Sequence, residues 1–239
     1  MTSLVHYIPI ITTVVATAFT WKLFKHWRLK PQAYYLMWWM IGGAMYGVGT
    51  LTESITTLAG WNLVTFKAWY ISGALLGGAP LAQGTVYLLI KDKMAHWMTF
   101  ILITIIAVAS VFVVLSPVNL SLVETHRLSG SVLEWSWVRL FSPFVNIYAF
   151  IFLAGGAAWS AFQYARKSQG DQTYMWGNVL IAFGALLPGI GGTSARMGYV
   201  EVLYVTELIG LLLIWSGYHV MTKKKAMSVH AKQRLVSAT

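Results

Sequence analysis

The basic residues of this chain form four clusters, and long apolar stretches separate them. The clusters follow the first, third, fifth and seventh apolar stretches and hold thirteen of the seventeen lysines and arginines. They are Lys22/Lys25/Arg28/Lys30, Lys91/Lys93, Arg166/Lys167 and Lys223/Lys224/Lys225/Lys232/Arg234. Because each follows an odd-numbered stretch, all four lie on one side of a membrane that the chain crosses repeatedly. Basic residues favour the cytoplasmic side, so we expect the N-terminus outside and the C-terminus inside.

Seven apolar stretches are long enough to cross a bilayer, since a spanning helix needs about 20 apolar residues. They cover approximately residues 4–24, 33–58, 63–90, 97–117, 136–163, 174–194 and 199–222. Only 10% of the residues are charged, against roughly 25% in soluble domains. The sequence therefore predicts an all-α, polytopic integral membrane protein of the plasma or inner membrane. A seven-transmembrane-helix bundle occupies 1–222, and a basic cytoplasmic tail, 223–239, is expected to be disordered.

The net charge of +10 and the glycine pattern suggest the partners of such a protein. The charge follows from the cytoplasmic clusters, which would attract anionic lipid headgroups, and nucleic acid is not an expected partner. GxxxG spacings, Gly43 with Gly47 and Gly73 with Gly77, allow helix backbones to approach closely. The glycine-rich faces could therefore pack within the bundle or against partner proteins.

Ionisable residues toward the outer ends of the stretches are the candidate site. A charge in hydrocarbon is costly, so Glu53, Lys67, Arg139 and Glu207 should face inward and pair, Glu207 with Lys67 or Arg139. Arg196 and Glu201 would form the rim. With their polar neighbours on the same helical faces, the candidate residues are Glu53, Lys67, Tyr70, Arg139, Asn146, Arg196, Tyr204 and Glu207. A structural ion-pair network and a ligand-binding site predict the same set.

Pro188 precedes a glycine-rich segment in the sixth stretch, Gly189-Ile-Gly191-Gly192-Thr193-Ser194. Proline lacks a backbone donor and clashes with the preceding turn. We therefore expect the helix to break there, either as a polar crevice or as a kinked helix end followed by an external glycine-rich loop. A weaker polar patch, Gln83 with Tyr87, lies toward the cytoplasmic end of the third stretch.

Several cofactors are disfavoured by the residues that the chain supplies. It contains no cysteine, which argues against a cysteine-held iron–sulfur cluster. No two histidines share a depth in neighbouring stretches, which argues against a bis-histidine haem. The layout resembles that of microbial rhodopsins, but the seventh stretch has no lysine for a retinal Schiff base. We predict no metal site, and the cofactor stays unknown.

Three kinds of function remain open. The first is a non-enzymatic membrane module, either a small receptor-like or sensory protein or an accessory subunit of a larger membrane complex. Its second helix is aromatic and glycine-rich and ends in an acid, Trp38 to Glu53. In this feature the chain is similar to the seven-helix sensory regions of bacterial histidine kinases. The second is a small transporter or channel, since helices 1–3 and 5–7 share a direction, as in small seven-helix sugar transporters. The third is a lipid-directed membrane enzyme with Glu207 as general base; no catalytic constellation accompanies Glu207, and no catalytic residue is predicted.

Overall fold

A computed structural model describes residues 4–124, 127–167 and 172–236, with side chains as far as Lys224. The described residues are helical apart from short loops and two isolated β-bridges. Within these described residues, five helical segments are long and apolar enough to cross a membrane: Leu4–Leu29, Asp92–Leu115, Ser136–Arg166, Gln172–Arg196 and Val200–Lys224. These segments identify an all-helical membrane protein, as the apolar stretches predict.

Most of the α-helices follow one another through short connections. The α-helices are α1 (Ile8–Leu29), α2 (Tyr34–Ala59), α3 (Leu63–Trp69), α4 (Ala79–Leu89), α5 (Asp92–Leu115), α6 (Phe141–Ala149), α7 (Gly156–Arg166), α8 (Gln172–Arg196) and α9 (Val200–Val236). Helices α5 and α6 are joined by a longer segment, 116–140, that contains the 3₁₀ turns Leu120–Leu122, Gly130–Val132 and Ser136–Leu140. A 3₁₀ turn, Leu4–Tyr7, precedes α1. Two π-helical segments, Tyr70–Leu76 between α3 and α4 and Phe150–Gly155 between α6 and α7, join their neighbours into longer helical runs. The expected disorder of the basic tail is wrong as far as Val236, because α9 continues through it.

The helices pack as a ring with one helix outside it. Helix α1 packs against α2 and α9, α2 against α3 and α4, and α4 against α6, α7 and the second π segment. Helix α7 then packs against α8, and α8 against α9, which closes the ring. Helix α5 lies outside it, against α4, α6 and the first π segment. The second half of α2 is thereby held near α3 and near the first half of α9.

The third helical run is broken, and glycine permits the break. The first π segment ends at Gly77, where an added Cβ would lie 2.6 Å from the carbonyl oxygen of Gly73. Helix α4 then starts with Pro80 in its first turn, where proline needs no backbone donor. Gly73 also approaches α2, since a Cβ at Gly49 would lie 3.3 Å from the Gly73 Cα. Helix α3 and the first π segment therefore pack directly against α2.

Glycines spaced seven residues apart join α8 to α9. They are Gly177, Gly184 and Gly191 on α8, and Gly210 and Gly217 on α9. A Cβ added at Gly184 would lie 2.6 Å from the Gly210 carbonyl oxygen, and one at Gly210 would lie 2.7 Å from the Gly184 carbonyl oxygen. The two backbones are in contact, because van der Waals packing rather than the hydrophobic effect joins helices in lipid. This seam fixes the position of α9, which carries Glu207.

The predicted break at Pro188 is wrong. Helix α8 continues through Pro188 and the glycines that follow it to Arg196. Proline deprives the carbonyl four residues earlier, that of Gly184, of its helical donor. That carbonyl lies against Gly210, and the Pro188 ring packs on the same glycine. Close packing by α9 therefore accommodates the proline, and neither a crevice nor an external loop forms at this position.

Candidate ligand site

Two carboxyl groups meet in the half of the bundle that holds the end of α2 and the start of α9. We call it the outer half, because the sequence predicts that it faces outside, and we call the opposite half the inner half. Glu53 comes from α2 and is 5% exposed. Glu207 comes from α9, and the two side chains are within hydrogen-bonding range of each other. In each carboxyl group the Oε2 atom is buried without a hydrogen-bond partner. The helices therefore place two acids together, and no neighbouring side chain or backbone group donates to the Oε2 atom of either one.

Aromatic side chains surround this acid pair. The indole Nε1 of Trp69, at the end of α3, donates a hydrogen bond to Glu53 Oε1 at 3.0 Å. The hydroxyl of Tyr46, two turns before Glu53 on α2, donates to the backbone oxygen of Glu207 at 2.8 Å. Tyr204 is 3% exposed and lies within electrostatic range of both carboxyl groups. We call Glu53, Glu207, Tyr46, Trp69 and Tyr204 the outer acid cluster.

A partly exposed pair lies between this cluster and the outer surface. His6, in the turn before α1, packs edge-on against Tyr204 with ring centroids 5.9 Å apart. Its Nε2 lies 3.9 Å from a carboxylate oxygen of Glu201, and the two side chains are 17% and 46% exposed. The backbone oxygen of His6 accepts a hydrogen bond from Thr57 of α2. His6 and Glu201 thus connect the surface with the buried acids.

The predicted pairing of Glu207 with Lys67 or Arg139 is not formed. The Lys67 ammonium donates instead to the carbonyl oxygens of Val114 and Ser116, at 2.5 and 3.2 Å. These carbonyls end α5 and lack helical donors, so the lysine completes a helix terminus. Arg139 is exposed. Within the described ranges the ion pairs are His6 with Glu201 and Arg127 with Glu124, so the acid pair has no lysine or arginine counter-ion there.

The remaining predicted residues lie beside the acid cluster rather than in it. The Tyr70 hydroxyl accepts a hydrogen bond from Ser142 at 3.3 Å, and Arg139 and Arg196 lie within electrostatic range of Tyr70. Arg196 is exposed in the last turn of α8, and its predicted rim position stays a prediction. Asn146 is exposed and donates to the backbone oxygen of Ala74, in the first π segment, at 3.4 Å. Of the predicted residues, only Glu53, Tyr204 and Glu207 belong to the cluster.

Sequence reasoning missed three members of the site or its entrance: Tyr46, Trp69 and His6. Tyr46 precedes Glu53 by seven residues, a spacing that puts both on one helical face, and this signal could have been used. Trp69 lies within the third apolar stretch, where a tryptophan could line a pocket or serve packing alone, and the sequence does not distinguish the two. The position of His6 depends on the turn before α1 and on contact with α9, and the local sequence carries no signal for it.

A second buried polar cluster lies in the inner half. The Gln83 amide nitrogen donates to the Thr99 hydroxyl at 2.7 Å and to the Ala95 carbonyl at 3.2 Å. The Tyr148 hydroxyl donates to the Gln83 amide oxygen, and Tyr87 shares a hydrogen bond with Thr99 at 3.0 Å. Gln83 is 0% exposed. We call Gln83, Tyr87, Thr99 and Tyr148 the inner network; it joins α4 to α5 and α6, and both polar atoms of the Gln83 side chain are bonded.

The chemistry of the outer acid cluster follows from its charge. Two carboxyl groups side by side in a buried site cannot both be ionised without a strong penalty, so they hold a proton or a cation. Within the described part of the chain, no group of three or more His, Asp or Glu side chains could hold a metal ion. Carboxylates next to aromatic rings instead suit organic ammonium groups.

Comparisons with known proteins give no family for this chain. It matches no protein-family model, no curated protein and no solved structure. The proposed function therefore rests on the geometry of the site.

Proposed function

We propose that the chain is a non-enzymatic seven-helix membrane module, either a small receptor-like or sensory protein or an accessory subunit of a larger membrane complex. Its ligand site is the outer acid cluster, and its ligand is an organic cation. One observation carries the proposal: the buried Glu53 and the partly buried Glu207 lie together, one oxygen of each receives no hydrogen bond from a neighbouring group, and no basic counter-ion lies beside them within the described residues. A cation with N–H or N–CH₃ groups would supply the missing positive charge.

The aromatic residues around the pair support an ammonium ligand. Trp69, Tyr46 and Tyr204 are aromatic, and the faces of such rings attract cations. Carboxylates provide hydrogen-bond acceptors and opposite charge at the same place. The half-exposed Glu201 and the neighbouring His6 would form the entrance. A negative carboxylate at the entrance would favour the approach of a cation over that of an anion.

Access from one side favours a receptor or subunit over a transporter. A transporter must expose its site to both faces in turn. On the inner half, the polar patch that could serve as a second gate is the inner network, and Gln83 there is fully buried and bonded. Opening that patch would break several hydrogen bonds at once. The geometry thus supports an outward-facing site.

The proposal includes seven spans with the N-terminus outside, which requires α2 and the broken α3–α4 run to cross the membrane as well. The four basic clusters then share the cytoplasmic side. Single cysteines test this in a chain that has none of its own. We expect Ser121→Cys, between α5 and α6, to react with an impermeant thiol reagent on intact cells. Gln32→Cys, between α1 and α2, should react only after lysis; labelling of Gln32→Cys on intact cells contradicts the orientation.

Thermal unfolding in mild detergent tests the ligand class. Sodium, methylammonium and tetramethylammonium chlorides would be compared at equal ionic strength. A ligand at ten times its Kd stabilises by about 1.4 kcal/mol, which raises the midpoint by about 3–6 °C in a chain of this size. We expect such a rise for at least one organic cation and not for sodium.

Matched variants assign the effect to the acid pair. The double variant Glu53→Gln/Glu207→Gln keeps the size of both side chains but removes their charge, and it should lose the shift. Glu134→Gln, which alters an exposed acid outside the cluster, should retain it. If none of the salts shifts the wild-type midpoint, or if the double variant shifts as the wild type does, the proposed ligand class is wrong.

A further inference from the structure

A second candidate binding site lies at the opposite end of the bundle, in a cavity at the surface between α1 and α9. The cavity has a volume of about 300 Å³ and is lined by Lys22, Leu212, Trp215, Ser216 and His219. Lys22 Nζ lies 2.7 Å from His219 Nδ1. It also lies 5.9 Å from the ring centroids of Trp215 and Tyr218. The lysine is thus held over aromatic rings at the wall of an open cavity.

The contact between Lys22 and His219 fixes the hydrogen-bonding direction of the imidazole. A lysine ammonium has three donors and no acceptor, so His219 Nδ1 accepts. In the neutral ring the proton then resides on Nε2, which becomes a donor. The Lys22 ammonium keeps further N–H groups. Ser216, one turn before His219 on α9, adds a hydroxyl. The cavity therefore offers several donors to one acceptor-rich ligand.

Positive charge at this end of α1 and α9 has no acidic counterpart on either helix. Helix α1 contains no aspartate or glutamate, and α9 contains none after Glu207. Lys25 and Arg28 on α1, with Lys223 on α9, extend the basic surface beyond the cavity. Each lysine or arginine near a membrane surface contributes about 1 kcal/mol to the attraction of anionic lipid. Charge complementarity thus points to an anion from the membrane itself.

We infer that this cavity binds the headgroup phosphate of an anionic phospholipid. The phosphate oxygens would accept from Lys22 Nζ, His219 Nε2 and the Ser216 hydroxyl. An acyl chain would follow the apolar surface of α9, where Leu212 is 43% exposed one turn farther into the bundle. The inference is independent of the outer acid cluster. It differs from general attraction to basic loops, because it assigns one lipid to one cavity.

Native mass spectrometry of the detergent-purified protein tests the assignment. Dioleoyl-phosphatidylglycerol and dioleoyl-phosphatidylcholine would be titrated separately, with inorganic phosphate as a third arm. We expect one phosphatidylglycerol to bind more tightly than phosphatidylcholine and to persist in millimolar phosphate. Lys22→Gln should weaken it about fivefold. Lys25→Gln is the matched control, because Lys25 lies three residues away and stacks on Trp21 outside the cavity.

Two further measurements keep the result interpretable. The thermal midpoint of each variant shows whether it is folded, and His219→Gln, which retains an N–H donor, should weaken phosphatidylglycerol less than His219→Leu does. Equal losses for Lys22→Gln and Lys25→Gln would show a diffuse basic surface and overturn the assignment. Equal affinity for the two lipids, or displacement of phosphatidylglycerol by inorganic phosphate, would overturn it as well.

Discussion

The outer acid cluster and the inner network are both buried polar groups in one bundle, but their hydrogen bonds are satisfied to different degrees. In the inner network, the nitrogen and the oxygen of the Gln83 amide are both bonded. In the outer cluster, Glu53 and Glu207 each keep one buried oxygen without a partner. A fully bonded buried network stabilises a fold and fixes its geometry, whereas unsatisfied buried groups need another reason to be present. The comparison supports a structural role for the inner network and the proposed binding role of the outer cluster.

The two clusters also differ in how they are built. The inner network joins neutral side chains of α4, α5 and α6, so no charge is buried. The outer cluster gathers two acids from α2 and α9, far apart along the chain, and the glycine seam between α8 and α9 holds one of them in place. Removing a hydrogen-bonding group from the inner network should therefore lower the free energy of unfolding. Neutralising an acid of the outer cluster should raise it or leave it unchanged.

The largest expected effect is at Gln83. Gln83→Leu preserves approximate size but leaves the Tyr148 hydroxyl without its acceptor, and the Thr99 hydroxyl keeps only its hydrogen bond to Tyr87. Each unsatisfied buried group costs about 1–3 kcal/mol, so we expect a loss of about 3 kcal/mol, measured as a lower thermal midpoint in detergent. Gln172→Leu, at an exposed position at the start of α8, is the control and should change little. A midpoint for Gln83→Leu equal to that of the wild type would remove the structural role of the inner network.

The next effect has the opposite sign. Glu207→Gln removes one of two adjacent acids, and its amide can donate to Glu53, which satisfies an unpaired oxygen. Replacing poorly compensated buried charge by a neutral group is often stabilising by about 1–4 kcal/mol. We expect the free energy of unfolding to rise by about 1 kcal/mol at neutral pH, measured by denaturant or thermal unfolding without added cation. A loss of several kcal/mol would instead indicate a cationic partner for Glu207, as the sequence suggests.

The smallest effect is expected at Arg139, which the sequence offers as a partner of Glu207. Arg139 is exposed and outside the described ion pairs, and surface substitutions of this kind usually change stability by less than about 0.5 kcal/mol. Arg139→Gln should therefore leave the thermal midpoint almost unchanged. Breaking a buried ion pair costs about 3–5 kcal/mol. An effect that large would place Arg139 beside the acids after all.

The candidate site was predictable only in part. Glu53 and Glu207 are recognisable because acids are costly within apolar stretches. Their partners are not recognisable, since two acids and two bases in such stretches can pair in several ways. Lys67 satisfies the carbonyls of Val114 and Ser116, and nothing in the local sequence favours a carbonyl over a carboxylate. The seven-residue glycine spacing in α8 was available and would have predicted the α8–α9 seam.

The sequence by itself determined that this chain is helical and membrane-embedded, because apolar length and charge distribution act locally along the chain. It also located both ends of α2 and of α8 to within two residues, but it did not predict the division of the third and fifth apolar stretches into shorter helices. Only the tertiary structure decided that α8 runs through Pro188, since the contact with Gly210 that accommodates the proline comes from another helix. It also decided that the two acids face each other rather than a base, because pairing depends on which helices become neighbours and at what depth. Such contacts join residues far apart in sequence, and the periodicity of a single helix carries no information about them.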